Sequence, residues 1–334
     1  MRSALVAGHL CVDLLPALST TPTIRPGQLV EVGPLGVHAG GCVANTGGDL
    51  AALGAPVQVV GDAGDDELGA LLVRMLAARG ATTDQVRLVP GKSTSYSLVL
   101  QPPGEDRSFW HHVGANAAFD GADLSLTGVD LLHIGYPSLL PALAASGGAA
   151  LDALLTRARA AGITTSLDLA VLDPVSPAAR QDWPALLARV LPLVDVLTPS
   201  LDDVRSALQL DVSRTPGDLR RTTQRLLDLG PAVVMLTAGA LGLQLGTADT
   251  SRLARAGAVF ANDPARQTQW SDQERFVTAQ RVPVRTTVGA GDAATAGLLY
   301  GLLADLDPVA SLQLAARTAA SRVSGTPIQP VPPG

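Results

Sequence analysis

The sequence predicts an α/β fold: a mostly parallel central sheet covered on both faces by helices, with a small β appendage beside it. Three observations lead there. Short β-branched or leucine-rich runs alternate with longer alanine-rich stretches of helical character. Those short runs are almost continuously hydrophobic, as strands covered on both faces are. Two further strand-like stretches carry turn residues but no intervening helix, so they stand outside the alternation.

In chain order, strands are expected at Leu5–Ala7, Val57–Val60, Leu131–Ile134, Ile163–Leu167, Val194–Leu197 and Val233–Leu236. Helices are expected between them, near Val43–Leu53, Asp65–Arg79, Ala149–Ala161, Leu201–Leu208 and Leu219–Leu229. The stretches outside the rhythm are Leu29–Val37 and Tyr96–His112. The second holds the turn signal Pro102-Pro103-Gly104 between Ser97–Gln101 and Arg107–His112. Strands inserted this way would cover the strand ends, where open α/β sheets bind ligands. The Pro- and Gly-rich tail after Ser324 reads as an ordered edge or a frayed end.

Composition narrows the function classes. With 334 residues, 47% of them hydrophobic, the chain can bury a sizeable core and is not a disordered one. A formal net charge of −6 argues against a nucleic-acid partner, whose phosphates are gripped by clustered Lys and Arg. Lys92 is the single lysine, so a lysine-dependent phosphate grip of the Walker A type is not available. The apolar run Ala4–Ala7 is too short for a signal segment, and no stretch is long enough to span a bilayer. Cys11 and Cys42 make no disulfide framework. A soluble, cytoplasmic protein without a membrane partner is expected.

Chemistry concentrates at Gly289-Ala290-Gly291-Asp292, which leads into the apolar run Ala293–Leu303. A buried helix starting at a glycine-rich turn aims unpaired N–H groups and its positive dipole end at one point. That suits charge developing on a transferred phosphoryl group. Asp292, in the first turn, reaches the same point and can accept a hydroxyl proton; an ordinary capping aspartate is the alternative reading. A second glycine pair, Gly40-Gly41, enters a helix with Asn45 one turn in, where a polyol's hydroxyls can be gripped. Just downstream, Gly61–Gly69 reads as strand end, turn and acidic helix start.

At these residues the chain resembles the pfkB (ribokinase-like) carbohydrate kinases over nearly its whole length. Gly40–Asn45 with Gly61–Gly69 is similar to one family signature, and Thr287–Asp292 to the other. Gly104–Arg107 followed by Gly114-Ala115-Asn116 resembles a lid segment, and Thr237–Gly242 the nucleotide loop. The resemblance implies a three-layer α/β/α sandwich with a β-sheet lid, and transfer of the ATP γ-phosphoryl group to a hydroxyl of a sugar or sugar derivative. It implies Asp292 as general base and the N–H groups of Gly289, Ala290 and Gly291 as anion hole. Asp13, Gly40, Gly41, Asn45, Arg107 and Asp168 would line the acceptor side. Thr237, Gly239, Gly242 and Ser200 would hold the nucleotide, with Asp203 on Mg²⁺ through water. The core would comprise residues 1–10, 39–93 and 114–334, and the lid residues 11–38 and 94–113. A homodimer through the lid is a further expectation, because an open sheet invites edge pairing.

The chain departs from the family pattern at three places. Thr286 stands where the motif usually has Asp, which puts K⁺ activation in doubt. Ser200 and Asp203 replace the Asn and Glu of the metal and phosphate motif, though both remain oxygen donors. Cys11 stands where ribokinases often have Asn, which argues against ribose. A nucleoside kinase, or a ligand-binding homologue with weakened catalysis, are the competing readings.

Other residues have plainer readings. His9, Cys11, His38 and Cys42 fit no standard zinc spacing, and the cysteines read as small buried residues. Of the adjacent His111 and His112, only one can face a pocket. Asp62, Asp65 and Asp66 read as capping and solvating a helix start.

Overall fold

The alternating hydrophobic runs form a nine-stranded sheet, and the stretches outside the rhythm contribute to a separate four-stranded one. The computed structural model describes residues 1–23, 25–105 and 107–332; Ile24 and Asp106, within the expected lid, lie outside the described residues. The strands are β1 (Ala4–Gly8), β2 (Cys11–Pro16), β3 (Leu35–Gly40), β4 (Val57–Gly64), β5 (Thr82–Val89), β6 (Tyr96–Leu100), β7 (Ser108–His112), β8 (Leu131–Gly135), β9 (Thr164–Asp168), β10 (Val196–Leu197), β11 (Val233–Thr237), β12 (Leu243–Thr247) and β13 (Glu274–Val277). The helices are α1 (Gly41–Leu53), α2 (Glu67–Ala78), α3 (Pro141–Ala160), α4 (Trp183–Val190), α5 (Leu201–Leu208), α6 (Pro216–Asp228), α7 (Thr250–Leu253), α8 (Pro264–Trp270), α9 (Ala290–Leu303) and α10 (Pro308–Ser324).

The large sheet runs β13-β12-β11-β10-β9-β8-β1-β4-β5. Its pairings are parallel from β11 to β5, and antiparallel only at β11–β12 and β12–β13. Side chains alternate across each strand, so each strand feeds two cores. Val6, Val59, Val233 and Met235 pack on one face with α1, α2, α9 and α10. Leu5, Ala7, Val234 and Leu236 pack on the other with α3, α4, α5 and α6. Burial on both faces explains why the central runs lack polar alternation.

The small sheet runs β3-β2-β6-β7, with β2 parallel to β6 and the other pairs antiparallel. Its crossing from β5 is pinned to the core: Thr94 N–H and Oγ1–H both donate to the Asp66 carboxylate, at 2.7 and 2.5 Å. Asp66 also caps α2 by accepting from the Gly69 N–H at 2.8 Å.

Several expectations need correction. The first appendage strand is displaced: β3 begins at Leu35, not Leu29, and β2 is its partner. Residues before it turn back on Ala17, whose carbonyl accepts from Gly33 N–H, and Pro34 has no N–H to give a ladder. Asp62 does not solvate a helix start; it is buried and held by Arg87 at 2.7 and 2.8 Å. α3 begins earlier than expected, but non-helical backbone at Ala145–Gly148 interrupts it, so its regular part starts close to Ala149. Within the described residues the tail packs back on the core: Val331 N–H donates to the Leu53 carbonyl at 3.0 Å. Among the described residues, no helix is long and apolar enough to cross a membrane.

Candidate active site

Helix α9 is buried almost all round, and its glycines set its position. At Gly297 an added Cβ would lie 2.6 Å from the Ala315 backbone of α10, so the two helices approach closely. Gly289 caps α9 with φ 74°, a left-handed conformation that costs glycine little. The turn tightens as Ala290 N–H donates to the Thr287 carbonyl at 3.3 Å and Ala293 N–H to the Gly289 carbonyl at 2.9 Å. Of the expected anion-hole donors, Ala290 is therefore partly committed within its own turn. The N–H groups of Gly291 and Asp292 have no acceptor within the helix by its geometry. Gly291 faces open space: an added Cβ would meet no atom within 4 Å.

Asp292 is 3% exposed and accepts from three side chains. Tyr136 O–H donates to Oδ1 at 2.7 Å, Thr46 Oγ1–H to Oδ1 at 3.3 Å, and Asn45 Nδ2–H to Oδ2 at 3.0 Å. Burial raises its pKa above the usual carboxylate range, while the Tyr136 and Asn45 donors and the Arg322 charge pull it back. A carboxylate raised this way is a stronger base than a solvent-exposed one.

Asp13 lies on β2 opposite Ser97 of β6. Its carboxylate rests on Gly40, where an added Cβ would come within 2.2 Å of Oδ2, so Asp13 requires glycine there. Cys11 Sγ–H donates to its Oδ1 at 3.4 Å. Burial, with the Asp292 charge adding to it, pushes the Asp13 pKa up to about 6. Gly41 passes close to His9: an added Cβ would lie 2.5 Å from its carbonyl oxygen. The His9 ring stands edge-on to His111 at 5.0 Å and tilted to Tyr136 at 5.9 Å. Both His9 ring nitrogens are buried without a protein partner. His111 bonds Ser97 Oγ at 3.0 Å, so it is the inward-facing member of its pair. His112 instead bonds Ser93 Oγ at 2.8 Å. Burial lowers both His9 and His111, the latter to about 4, so this wall is neutral at physiological pH.

The strand ends beyond α9 bring the other expected residues together. Ser200 and Asp203 form a capping box on α5: Asp203 N–H donates to Ser200 Oγ at 3.1 Å, and Ser200 N–H to Asp203 Oδ2 at 2.7 Å. Ser200 bridges Thr237 at the end of β11, and Gly239 and Gly242 form the turn that follows. Asp168 ends β9, buried, with its Oδ1 accepting from the Leu169 N–H at 2.8 Å. Burial and the charges of Asp203 and Asp292 push its pKa well up; Asp203 itself rises to about 7, chiefly through burial. Arg107 reaches from the small sheet to donate to Thr287 Oγ1, in the loop leading into α9. Its guanidinium also stacks over Phe109, 5.6 Å from the ring centroid.

Tyr136 escaped the reading of the sequence. It follows β8 in the left-handed conformation (φ 63°, ψ 54°), which costs a residue with a Cβ about 1–3 kcal/mol. Its only signal is position: the residue after a central parallel strand, where ligand crevices form.

The chain was compared with known proteins. The family model described as pfkB family carbohydrate kinase matches residues 1–330. A fructokinase of Rhizobium leguminosarum bv. trifolii is 28% identical over 307 residues, covering 90% of this chain and 80% of that protein. A 2-dehydro-3-deoxygluconokinase of Thermoproteus tenax is 26% identical over 304 residues, covering 89% and 83%. The structure of Arabidopsis thaliana ribokinase complexed with ribose and ATP superposes with a TM-score of 0.71 at 20% identity, covering 98% of this chain and 96% of that one.

Proposed function

This chain belongs to the pfkB family of carbohydrate kinases, and we propose that it moves the γ-phosphoryl group of ATP to a hydroxyl of a small sugar or sugar derivative through Asp292. The observation that carries this reading is the start of α9. There a buried carboxylate and the first-turn N–H groups converge, and Asn45 ties that carboxylate to the Gly40-Gly41 turn. An alcohol is too weak an acid to ionise at neutral pH, so a base is needed. Asp292 takes the hydroxyl proton as the O–Pγ bond forms and the Pγ–O bond to ADP breaks. The N–H groups of Gly289, Gly291 and Asp292, with the longer-bonded Ala290, face the charge that develops. Asp13, Gly40, Gly41 and Asn45 hold the acceptor, and Asp168 forms the rim. Thr237, Gly239, Gly242 and Ser200 lie on the nucleotide side. Arg107, anchored at Thr287, brings the small sheet onto that loop as a lid, which would exclude water.

Among the described residues no group of three metal-ligating side chains gathers, so a divalent cation here would rest on the two strand-end carboxylates, water and the nucleotide phosphates. Asp168 and Asp203 are buried and raised in pKa, and a cation beside them would relieve that. One Asp203 oxygen is used by the Ser200 N–H, which leaves Oδ1 to hold a water bound to Mg²⁺. Bound Mg²⁺ would neutralise charge on the phosphates. Thr286 spends its Oγ1 accepting from the Val288 N–H at 3.1 Å, and it offers no carboxylate to K⁺.

ADP release from Mg²⁺-ATP over a panel of sugars, sugar acids, polyols and nucleosides tests the reading. Turnover on a sugar supports it, and preference for a nucleoside favours the alternative acceptor. Ligand-induced thermal stabilisation without turnover would leave only a binding protein. The same assay with and without K⁺ should show no activation, and strong activation would overturn the Thr286 argument.

The small sheet also suits a homodimer. Its face opposite Asp13 carries Leu14, Val37, Leu98 and Trp110, with Trp110 48% exposed. Sedimentation equilibrium that finds only monomer at micromolar concentration would remove this assignment.

A further inference from the structure

We propose that Tyr136 is a positioning residue that caps the Asp292 carboxylate until an acceptor hydroxyl replaces it. The inference rests on the reading of Asp292 as base. The phenol makes the shortest of the three contacts to that carboxylate, at 2.7 Å on Oδ1. It holds this place from a left-handed backbone, with its N–H donating to the Asp168 carbonyl at 3.2 Å. Glycine would make the same turn without strain, so what the tyrosine adds is its side chain.

The cap has a chemical purpose. In transfer, the acceptor O–H gives its proton to Asp292 while its oxygen bonds Pγ and ADP leaves. Water placed on the same carboxylate would give its proton likewise and yield ADP and phosphate. With the phenol on Oδ1, water finds that acceptor taken. A polyol also anchored by Asp13 and Asn45 can displace the phenol, because it gains those bonds together.

The surroundings supply a path for the exchange. The Tyr136 ring adjoins His9, His9 meets His111 of β7, and His111 is tied to Ser97 of β6. The unpartnered, buried His9 nitrogens are groups for which an arriving hydroxyl provides a partner. Movement of the small sheet onto an acceptor is thereby felt at the phenol.

Removing the phenol oxygen changes the proton affinity of Asp292 in a known direction. The groups that face Asp292 are Tyr136, Asn45 and Thr46, the cluster of Asp49 (α1), Arg79 (just after α2) and Arg322 (α10), and Asp13, Asp168, Asp203, Cys11 and Cys42. Among these the phenol is a donor that favours the charged carboxylate, so its loss raises the pKa.

Tyr136→Phe keeps the ring and removes that donor. With Mg²⁺-ATP alone at pH 8, its ADP release should rise about tenfold over wild type. With the acceptor found in the panel above, the acid limb of kcat/KM should move up by about one pH unit. A merely structural defect would lower both activities and leave the limb in place. Acceptor-free release within about twofold of wild type, or an unmoved limb, overturns the proposal. If the Phe variant does not fold, Tyr136→Asn suits the left-handed backbone and carries the same expectation for acceptor-free release. Adding Asp292→Asn should abolish the extra hydrolysis; if it persists, Asp292 is not what the phenol masks. Asp292→Asn that retains full transfer to acceptor would instead remove the base assignment itself.

Discussion

Asp13→Asn should raise the stability of the protein while weakening its hold on an acceptor, and the gain should depend on pH. Burial, reinforced by Asp292, pushes the Asp13 carboxyl from the ordinary 3.8 up to about 6. The folded state then binds the proton more tightly than the unfolded one between those values. Stability from this group is thus fully present below 3.8 and is lost as pH rises to 6. The displacement of about two pH units corresponds to a penalty of about 3 kcal/mol above pH 7. Asparagine is neutral throughout and escapes it. The variant should therefore be more stable by up to about 3 kcal/mol at pH 8 and by about half of that at pH 5. For a chain of this length that is about 4 °C in Tm at pH 8. The assay is thermal unfolding of both proteins at the two pH values, with acceptor KM measured beside it. A gain equal at pH 5 and pH 8, or a loss at pH 8, would refute the claim that a strained carboxylate sits in this pocket.

Two further substitutions probe the two ends of the site. Asp292→Asn should lower kcat at least ~10²-fold while a non-hydrolysable ATP analogue still raises Tm, and surviving turnover would exclude Asp292 as the base. Gly40→Ala puts a methyl 2.2 Å from Asp13 Oδ2, so the carboxylate must move. Acceptor KM should rise at least ~10-fold with ATP KM little changed, and an unaltered acceptor KM would show that Asp13 is not what Gly40 accommodates.

Much of the fold was legible because its central strands are covered on both faces. Leu5–Ala7, Leu131–Ile134 and Val233–Leu236 have no reason to alternate, and they read as strands directly. β2, β5, β12 and β13 were missed as strands. β5 (Thr82–Val89) and β13 (Glu274–Val277) are the sheet edges and stay partly exposed, so both mix charge with hydrophobicity. β12 is buried, but Gln244 and Gly246 interrupt its apolar residues, and it follows a glycine turn. Leu29, Val30 and Val32 misled in the opposite direction: they are apolar, yet exposed outside any strand. The candidate site was legible where its residues are contiguous, as at Gly40–Asn45 and Gly289–Asp292. Contacts between distant residues left no trace in the sequence. Tyr136 lies 156 positions from Asp292, and Asp62 finds Arg87 on the neighbouring strand. Such pairings are set by strand order, which local patterns do not encode.

The tether between the two sheets carries one more consequence. Lys92, the single lysine of the chain, is exposed in the segment between β5 and β6, two residues before the Thr94–Asp66 pin. An amine-reactive fluorophore therefore has one side chain to choose, apart from the chain's first amino group. That side chain stands beside the joint about which the small sheet would turn. A turn of the small sheet on ligand binding would then appear in the wild-type protein as a change in emission, without an engineered residue near the chemistry.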